Sequence, residues 1–205
     1  MRDNGIQAKT KKKFKATTDS KHSMPVSENL LDREFEVSRP NTVWTSDISF
    51  VWTREGWMYL AVVLDLFSRR IVGWAMDKRI KKKLVIDALE MTIGRRRPEP
   101  GLLCHSDRGS QYASDDYQKV LTKHGFIGSM SRKGNCWDNA PIESFFSSLK
   151  RERVYHNTYR KRLEARTDIF NYIECWYNPY RLHSTLGYQS PAQFENQITN
   201  NRKAA

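Results

Sequence analysis

Three acidic residues occupy positions where a carboxylate is either costly or well placed to bind a cation. Asp47 lies within the apolar segment WTSDISF, where an acid is unfavourable unless it faces a ligand or a partner. Asp107 directly follows a short apolar segment, and the carboxyl ends of strands are where sheets of this kind build their sites. Glu143 comes two residues after Pro141, in the first turn of a predicted helix, whose positive end favours a carboxylate.

Carboxylate oxygens without His or Cys suit Mg²⁺ or Mn²⁺ rather than zinc. Three close carboxylates repel one another and raise at least one pKa unless cations neutralise them. Two such ions about 4 Å apart can activate an attacking oxygen and stabilise a leaving oxygen at phosphorus. The spacing alone does not establish this chemistry, because 12 Asp and 11 Glu make an Asp–Glu pair at any given separation unsurprising. On spacing alone, a solvated or helix-capping carboxylate is the better interpretation of each acid.

The composition is typical of a folded, basic protein that binds nucleic acid. Hydrophobic residues make up 39% and aromatic residues 12% of the 205 positions, too many for a disordered chain. The 35 Lys and Arg outnumber the 23 Asp and Glu, and the net charge of +12 favours nucleic acid as the partner. The longest apolar stretch, residues 58–67, is too short to cross a bilayer. Three widely spaced cysteines fit a reducing cytosol, so we expect a cytoplasmic protein with no membrane partner.

The chain divides into a basic N-terminal extension or linker (1–40), a core (41–178) and a C-terminal segment (179–205). The lysines of the extension are equally compatible with a solvated tail and with contacts to a DNA backbone. Within the core, β-branched and aromatic residues predict an antiparallel meander of three strands at 43–52, 57–66 and 69–76. The pattern then predicts, in order, a helix at 82–93, a strand at 101–105, a helix at 114–124 capped by Ser114, a strand at 126–130 and helices at 140–155 and 163–176. This order indicates an α/β fold, a mixed sheet with helices on its faces.

Four segments around and beyond the three acids carry a recognisable pattern: WTSDISF, HSDRGSQYAS, SRKGNCWDNAPIESFFSSLK and YNPYRLHSTLGYQSPAQF. They resemble the integrase core of bacterial insertion-sequence transposases, the OrfB-type proteins of the insertion sequence 3 family, which belong with retroviral integrases to the ribonuclease-H-like superfamily. The resemblance includes the family's Asp, Asp and Glu arrangement, with 35 residues between Asp107 and Glu143. It implies a ribonuclease-H-like mixed five-stranded sheet flanked by helices.

The resemblance implies that Asp47, Asp107 and Glu143 are the catalytic and metal-binding triad, holding Mg²⁺ or Mn²⁺, two ions. The implied activity is 3′-end cleavage of transposon DNA, followed by strand transfer of the freed 3′-hydroxyl into target DNA without a covalent protein–DNA intermediate. Two other functions remain open: a ribonuclease-H-like nuclease without joining activity, and an inactive DNA-binding remnant of a mobile element. The intact triad argues against the remnant, whereas fold alone does not separate the transposase from the nuclease.

The resemblance also implies partners. Two DNA ends have to be brought together, so a multimer of the chain is expected, associated with the bacterial nucleoid. Family members usually carry a helix-turn-helix region upstream of this core, where this chain has the basic residues 1–40. Recognition of the element's ends is therefore expected to depend on a partner protein, OrfA, or on a fusion with it.

Lys150 follows Glu143 by seven residues, and the family typically has a basic residue there. Two helical turns put both side chains on one face, about 10 Å apart along the axis. Lys150 is therefore expected to contact a DNA phosphate rather than join the metal ligands. The apolar residues of the same helix form a stripe that should pack on the sheet: Ile142, Phe145, Phe146 and Leu149.

Four further residues are candidates for contacts with DNA. Arg108 lies in the turn after the second acid, where it either binds phosphate or serves the turn. Lys133, Trp137 and Asn139 belong to the polar loop before the third acid. Trp137 either stacks on a base or packs on the following helix. On the predicted strand before Asp107, Cys104 and His105 point to opposite faces, as adjacent strand residues do. Cys104 is expected in the core, and His105 either faces the site or has a structural role.

Overall fold

The computed structural model describes residues 22–133 and 136–204, which fold around a five-stranded sheet. Its strands are β1 (Val43–Thr53), β2 (Gly56–Asp65), β3 (Ile71–Asp77), β4 (Leu103–Ser106) and β5 (Ile127–Met130). The order is β3-β2-β1-β4-β5, with β1, β2 and β3 antiparallel and with β4 and β5 added parallel to β1. The predicted α/β class, the meander and the mixed sheet are thus confirmed.

The helices are α1 (Lys82–Arg96), α2 (Asp115–Lys123), α3 (Ala140–Glu152), α4 (Arg162–Phe170), α5 (Asn178–Tyr180) and α6 (Pro191–Ala204). A short 3₁₀ turn, Cys136–Asn139, precedes α3, and a π-helical segment, Asn171–Tyr177, connects α4 to α5. Ser114 caps α2 as predicted, because its side chain accepts a hydrogen bond from the Tyr117 amide. In the described part of the chain, no helix has the length and apolar character needed to cross a membrane.

The sheet is buried on both faces. One face, with Leu60, Val62 and Leu64 of β2, lies in a single core cluster with residues of α3, α4 and the π-helical segment. The predicted stripe of α3 belongs to this cluster, and its residues are at most 6% exposed: Ile142, Phe145, Phe146 and Leu149. The other face, with Ala61 and Val63 of β2, belongs to a second cluster with α1 and α2. Burial on both sides explains why β2 reads as a nearly continuous apolar run.

Two predicted helix ends in the C-terminal half differ from the structure. Helix α3 ends at Glu152 and not at residue 155, because Val154–His156 forms a separate 3₁₀ turn. The helical path that begins at α4 continues past residue 176, since Pro179 lies in the first turn of α5, where a missing N–H is tolerated.

Helix α6 was not predicted, although its start is encoded in Ser190, Pro191 and Gln193. The Ser190 side chain accepts from the Gln193 amide at 3.3 Å, and the Gln193 side chain accepts from the Ser190 amide at 3.0 Å. This is a reciprocal cap of the kind that starts helices, with a proline in the first turn. The sequence therefore contains a recognisable helix start, but the residues that follow show little of the apolar periodicity by which a helix is predicted.

Residues on both sides of the predicted 41–178 core pack against it. Leu31 is 2% exposed and belongs to the core cluster of the α3 face. Glu195 of α6 accepts hydrogen bonds from Arg96, Arg70 and Ser68, at distances of 2.7 to 3.0 Å. The lysine-rich residues 9–21 of the extension lie outside the described residues, and the domain boundaries stay a prediction.

Gly73 of β3 allows α1 to lie close against the sheet. A Cβ at this position would stand 1.9 Å from Thr92 Oγ1 and 2.5 Å from the Ala88 carbonyl oxygen. We expect Gly73→Ala to lower the free energy of unfolding by about 2–3 kcal/mol, the upper range for overpacking. Urea unfolding measures this directly.

Gly94 of α1 provides the matched control, because a Cβ there would meet no atom within 4 Å. Gly94→Ala should leave the free energy of unfolding unchanged or raise it by up to about 1 kcal/mol, since alanine is the better helix former. Equal unfolding midpoints for the two variants would contradict the close packing at Gly73.

Candidate active site

The register of two parallel strands brings Asp47 and Asp107 together. Strands β1 and β4 are paired up to Ser46 and Ser106. The residue that follows Ser46 is Asp47, and the residue that follows Ser106 is Asp107. Neighbouring strands lie about 4.8 Å apart, and the carboxylates are therefore close at the point where β4 ends. Each carboxylate is oriented by a nearby amide: Ile48 N donates to Asp47 Oδ1 at 2.7 Å, and Gly109 N donates to Asp107 Oδ1 at 2.8 Å.

Glu143 joins this pair from the first turn of α3, whose apolar stripe packs on the face of the sheet that carries Asp47. The charge of Asp47 interacts with the charges of both other acids. Burial raises the pKa of Asp47 well above its ordinary value, and the charges of Asp107 and Glu143 raise it further. Burial also raises the pKa of Glu143. The structure thus brings together all three acids that the sequence singled out.

The three acids are accessible, although they lie on buried elements. Asp47, Asp107 and Glu143 are each partly exposed, whereas Ser46, Ser106 and the α3 residue Ile142 are at most 3% exposed. The three side chains therefore remain partly open to solvent near the carboxyl end of β4, and the residues next to them in sequence are fixed by packing. This is the position where open α/β sheets place their ligands.

The chemistry of these donors fits a divalent cation. All three side chains offer oxygen ligands, as Mg²⁺ and Mn²⁺ prefer, and their mutual repulsion is the kind that a bound cation relieves. Among residues 22–133 and 136–204, no three His, Cys, Asp or Glu side chains are already arranged as a complete metal-binding group.

Lys150 faces the same site from two turns further along α3. Its Nζ lies 5.0 Å from the centre of the Phe50 ring, and Asp47 attracts it electrostatically. Burial lowers the pKa of Lys150, whereas the Asp47 charge opposes this shift. The lysine therefore provides a positive charge beside Asp47.

The structure separates the other predicted DNA contacts into accessible and buried groups. Trp137 is 69% exposed, and Lys133 is exposed next to residues 134–135, which lie outside the described residues. Arg108 is partly exposed, and its Nε donates to the Ser131 carbonyl at 2.6 Å, which connects the turn after β4 to the end of β5. Asn139 departs from the expectation, because it is only 6% exposed at the start of α3 and its side chain is not accessible to DNA in this conformation.

Asp138 is the residue of this site that the sequence analysis missed. It is 1% exposed and accepts three hydrogen bonds from Arg132, at 2.9 to 3.1 Å, and one each from Arg33 and Asn29, both at 3.0 Å. The Arg132 side chain is the main cause of a pKa well below the usual range of a carboxyl. Asp138 lies in the 3₁₀ turn before α3, so this cluster fixes the start of the helix that carries Glu143.

His105 has a structural role. Its side chain is fully buried, and its Nδ1 lies 2.9 Å from Ser129 Oγ, which also accepts from the Leu30 amide. Burial lowers the pKa of His105 to about 4, so the ring is neutral at physiological pH. The adjacent Cys104 is 4% exposed and packs in the cluster of α1 and α2, as predicted.

Comparisons with known proteins identify relatives of this chain. Two family profiles, both described as integrase core domain, match residues 37–136 and 143–198. The transposase InsF for insertion sequence IS3fB of Escherichia coli K12 is 49% identical over 197 residues, which cover 96% of this chain and 68% of the transposase. The protein of 31 kDa from insertion element IS600 of Shigella sonnei is 48% identical over 92% of this chain and 70% of its own length.

Solved structures of low sequence identity share the fold. A chain of the simian T-cell lymphotropic virus intasome, solved in complex with the PP2A regulatory subunit B56 gamma, superposes with a TM-score of 0.65 at 20% identity. That match covers 87% of this chain and 60% of the viral one. The HTLV-2 integrase catalytic core domain in complex with magnesium superposes with a TM-score of 0.58 at 17% identity, over 76% of this chain and 97% of that domain.

Proposed function

Because this chain belongs to the integrase-core transposases of the insertion sequence 3 family, we propose that it cleaves the 3′ ends of its element and joins them to target DNA. The observation that carries the proposal is the shared electrostatic site of Asp47, Asp107 and Glu143 at the end of β4. Such a group of partly exposed carboxylates on a rigid sheet suits phosphoryl transfer, in which positioning and charge stabilisation do most of the work.

We propose Asp47, Asp107 and Glu143 as the residues that hold Mg²⁺ or Mn²⁺, as two ions. When bound, such ions supply a Lewis acid at the phosphate and lower the pKa of the attacking oxygen. The protein orients the two strand carboxylates through the Ile48 and Gly109 amides. A water is the nucleophile in cleavage and the freed 3′-hydroxyl in joining, so no covalent protein–DNA intermediate is required.

The positive groups around the carboxylates are proposed to position the DNA backbone. Lys150 stands beside Asp47, Arg108 lies in the turn after Asp107, and Lys133 lies, with the aromatic Trp137, in the loop before Glu143. Two DNA ends have to meet at one target, so we propose that copies of the chain act as a multimer. We propose further that OrfA, or a fusion with it, supplies recognition of the element's ends.

The test is an assay of the purified protein on labelled linear DNA that carries the element's own terminal repeat, with Mg²⁺ and then with Mn²⁺. Terminal cleavage together with joined products supports the transposase. Cleavage without joined products, under conditions that favour joining, supports the nuclease instead. If neither product forms, even when the upstream region is supplied, the DNA-binding remnant is the better interpretation.

Replacing Lys150 with alanine should weaken binding of a donor DNA end about tenfold, because one charge-assisted phosphate contact is lost. The slope of the logarithm of the binding constant against the logarithm of the salt concentration should also decrease in magnitude by about one, because one counterion fewer is released. Fluorescence anisotropy at several salt concentrations measures both quantities.

Two comparisons make this result specific to Lys150. Lys119→Ala removes an exposed charge on α2 and should change donor-end binding much less. The rise in melting temperature on adding Mg²⁺ should survive in Lys150→Ala, since the carboxylates are untouched. Equal loss of DNA binding and of the metal response would argue against a phosphate-binding role.

A further inference from the structure

On the β4 side of the sheet, the β1–β2 hairpin extends past its neighbour, starting at the active site, whereas β3 follows β2 as far as Tyr59. Strands β1 and β2 are paired to their tip at Thr53 and Gly56, whereas β4 pairs with β1 only up to Ser46. Residues 47–53 of β1 therefore project roughly 20 Å past the end of β4. Asp47 stands at the base of this projection, on the face opposite to that of Phe50 and Trp52. Lys150 reaches both Asp47 and the Phe50 ring at the open edge of β1.

One face of the projecting hairpin carries a group of aromatic side chains, Phe50, Trp52 and Trp57, which we call the aromatic platform. Trp52 and Trp57 are directly opposite each other on the two strands, with ring centres 4.8 Å apart. Phe50 lies two residues before Trp52, and its ring centre is 4.9 Å from that of Trp57. These positions share one face because side chains two apart, and side chains directly opposite, point the same way.

The tryptophans of the platform are open to solvent. Trp52 is 56% and Trp57 is 43% exposed in a fold that buries Trp44 completely. Large aromatic side chains that stay exposed side by side mark a binding surface rather than a core. Trp52 lies five positions after Asp47, a distance of about 16 Å along the strand.

Positive charges surround the platform and connect it to the active site. Lys150, which Asp47 attracts, lies over the ring of Phe50. At the other end, Arg162 donates to the Trp57 carbonyl at 3.1 Å, and Arg54 is exposed at the hairpin tip. Glu55 is the acid of the tip, and it is engaged with the Arg162 amide.

We propose that the aromatic platform stacks unpaired bases of the DNA whose backbone is bound at the carboxylates. This rests on the proposed function, and it adds a second contact surface to it. An unpaired strand presents flat apolar bases and anionic phosphates in alternation, which matches aromatic rings bordered by cations. A second copy of the chain fits less well, since lysine is depleted from the buried centres of protein interfaces. Stacking accepts every base, so no particular sequence is required.

The test compares two DNA probes on the full chain. One probe is a blunt duplex, and the other is the same duplex with a short single-stranded tail, on the 3′ or the 5′ strand, that carries a fluorescent base analogue quenched by stacking. The wild type should bind the tailed duplex about tenfold more tightly than the blunt one, the order expected for one or two stacked bases. Its binding should also quench the analogue.

Variants of the two exposed tryptophans separate stacking from other effects. The double variant Trp52→Ala with Trp57→Ala should lose both the preference for the tail and the quenching, and it should still bind the blunt duplex. Trp52→Phe with Trp57→Phe keeps a ring at each position and should retain most of both signals. Thermal melting of each variant checks that the hairpin still folds.

Three outcomes would overturn the proposal. These are an equal loss of affinity for blunt and tailed DNA, no quenching by the wild type with either tail, and a shift of the oligomeric state in the alanine variant by sedimentation. The last would identify the platform as a contact between copies. DNA cleavage is not needed for any of these measurements, so failure of the platform and failure of the proposed catalysis are distinguishable.

Discussion

Asp107→Asn is expected to abolish both terminal cleavage and joining while the chain stays folded. The substitution keeps the size of the side chain and removes one of the three charges that meet at the end of β4. Stabilisation of charge at phosphorus by such a site amounts to several kcal/mol, so the rate should fall by at least roughly a thousandfold. Gel analysis of both products, from single-turnover reactions at matched protein concentrations, measures the loss.

The stability of this variant distinguishes a catalytic role from a structural one. Asp107 raises the pKa of Asp47 in the folded protein, so two ionised carboxylates oppose folding above the ordinary pKa of Asp. Removing the Asp107 charge relieves this repulsion, and the melting temperature at pH 7 without metal should be unchanged or higher. Addition of Mg²⁺ should stabilise the wild type and have a smaller effect on the variant.

Asp115→Asn is the control for Asp107→Asn, because Asp115 is an exposed acid in the first turn of α2. It should retain cleavage and joining at nearly the rate of the wild type. An active Asp107→Asn protein would remove Asp107 from the catalytic group. An inactive variant with a much lower melting temperature would show that the carboxylate is needed for folding instead.

Local pattern was sufficient to predict the parts of the fold that depend on local chemistry. The meander follows from β-branched and aromatic runs, the cap of α2 from Ser114, and the apolar stripe of α3 from its helical spacing. The meeting of Asp47 and Asp107 depends instead on the register of β1 and β4, which lie about sixty residues apart in the chain. In the sequence, only the resemblance to a known family connected the two acids.

The missed features depend on contacts that no local window contains. Asp138 reads as one acid in a basic loop, and its partners Asn29 and Arg33 are more than a hundred positions away. The expectation that Asn139 is accessible rested on its polar neighbours, but Asn139 is only 6% exposed at the start of α3. The exposure of Trp52 and Trp57 was not predicted, because a strand pattern does not reveal which part of each sheet face the helices cover.

Asp138→Ala is expected to lower both stability and activity, because it removes the shared acceptor of the cluster before α3. Arg33 and Arg132 are 45% and 46% exposed and can turn to water, so the loss of unfolding free energy should be moderate, about 2 kcal/mol. Glu143 loses the support of its helix start, and the rate of cleavage should fall about tenfold to a hundredfold, as for residues that orient metal ligands. The Mg²⁺ concentration for half-maximal rate should rise, which a merely unstable protein would not show.

The pH dependence of the free energy of unfolding tests the contribution of the Asp138 charge. The pKa of Asp138 is lowered in the folded state. The ionised carboxylate therefore stabilises the fold above the ordinary pKa of Asp, and this stabilisation is lost as the pH falls below that value towards the lowered pKa. Asp138→Asn should therefore be less stable than the wild type at pH 7, with a difference that shrinks towards acidic pH. Urea midpoints at several pH values measure this convergence.

Asp168→Asn is the matched control for the Asp138 variants, because Asp168 is also a well-bonded acid but supports α4. It accepts from Arg153 at 2.7 Å and from the Tyr159 hydroxyl at 2.6 Å. Its loss should reduce stability by a comparable amount and leave the Mg²⁺ requirement for cleavage unchanged. If both variants shifted the Mg²⁺ requirement equally, general destabilisation would explain the effect, and Asp138 would have no particular role in placing Glu143.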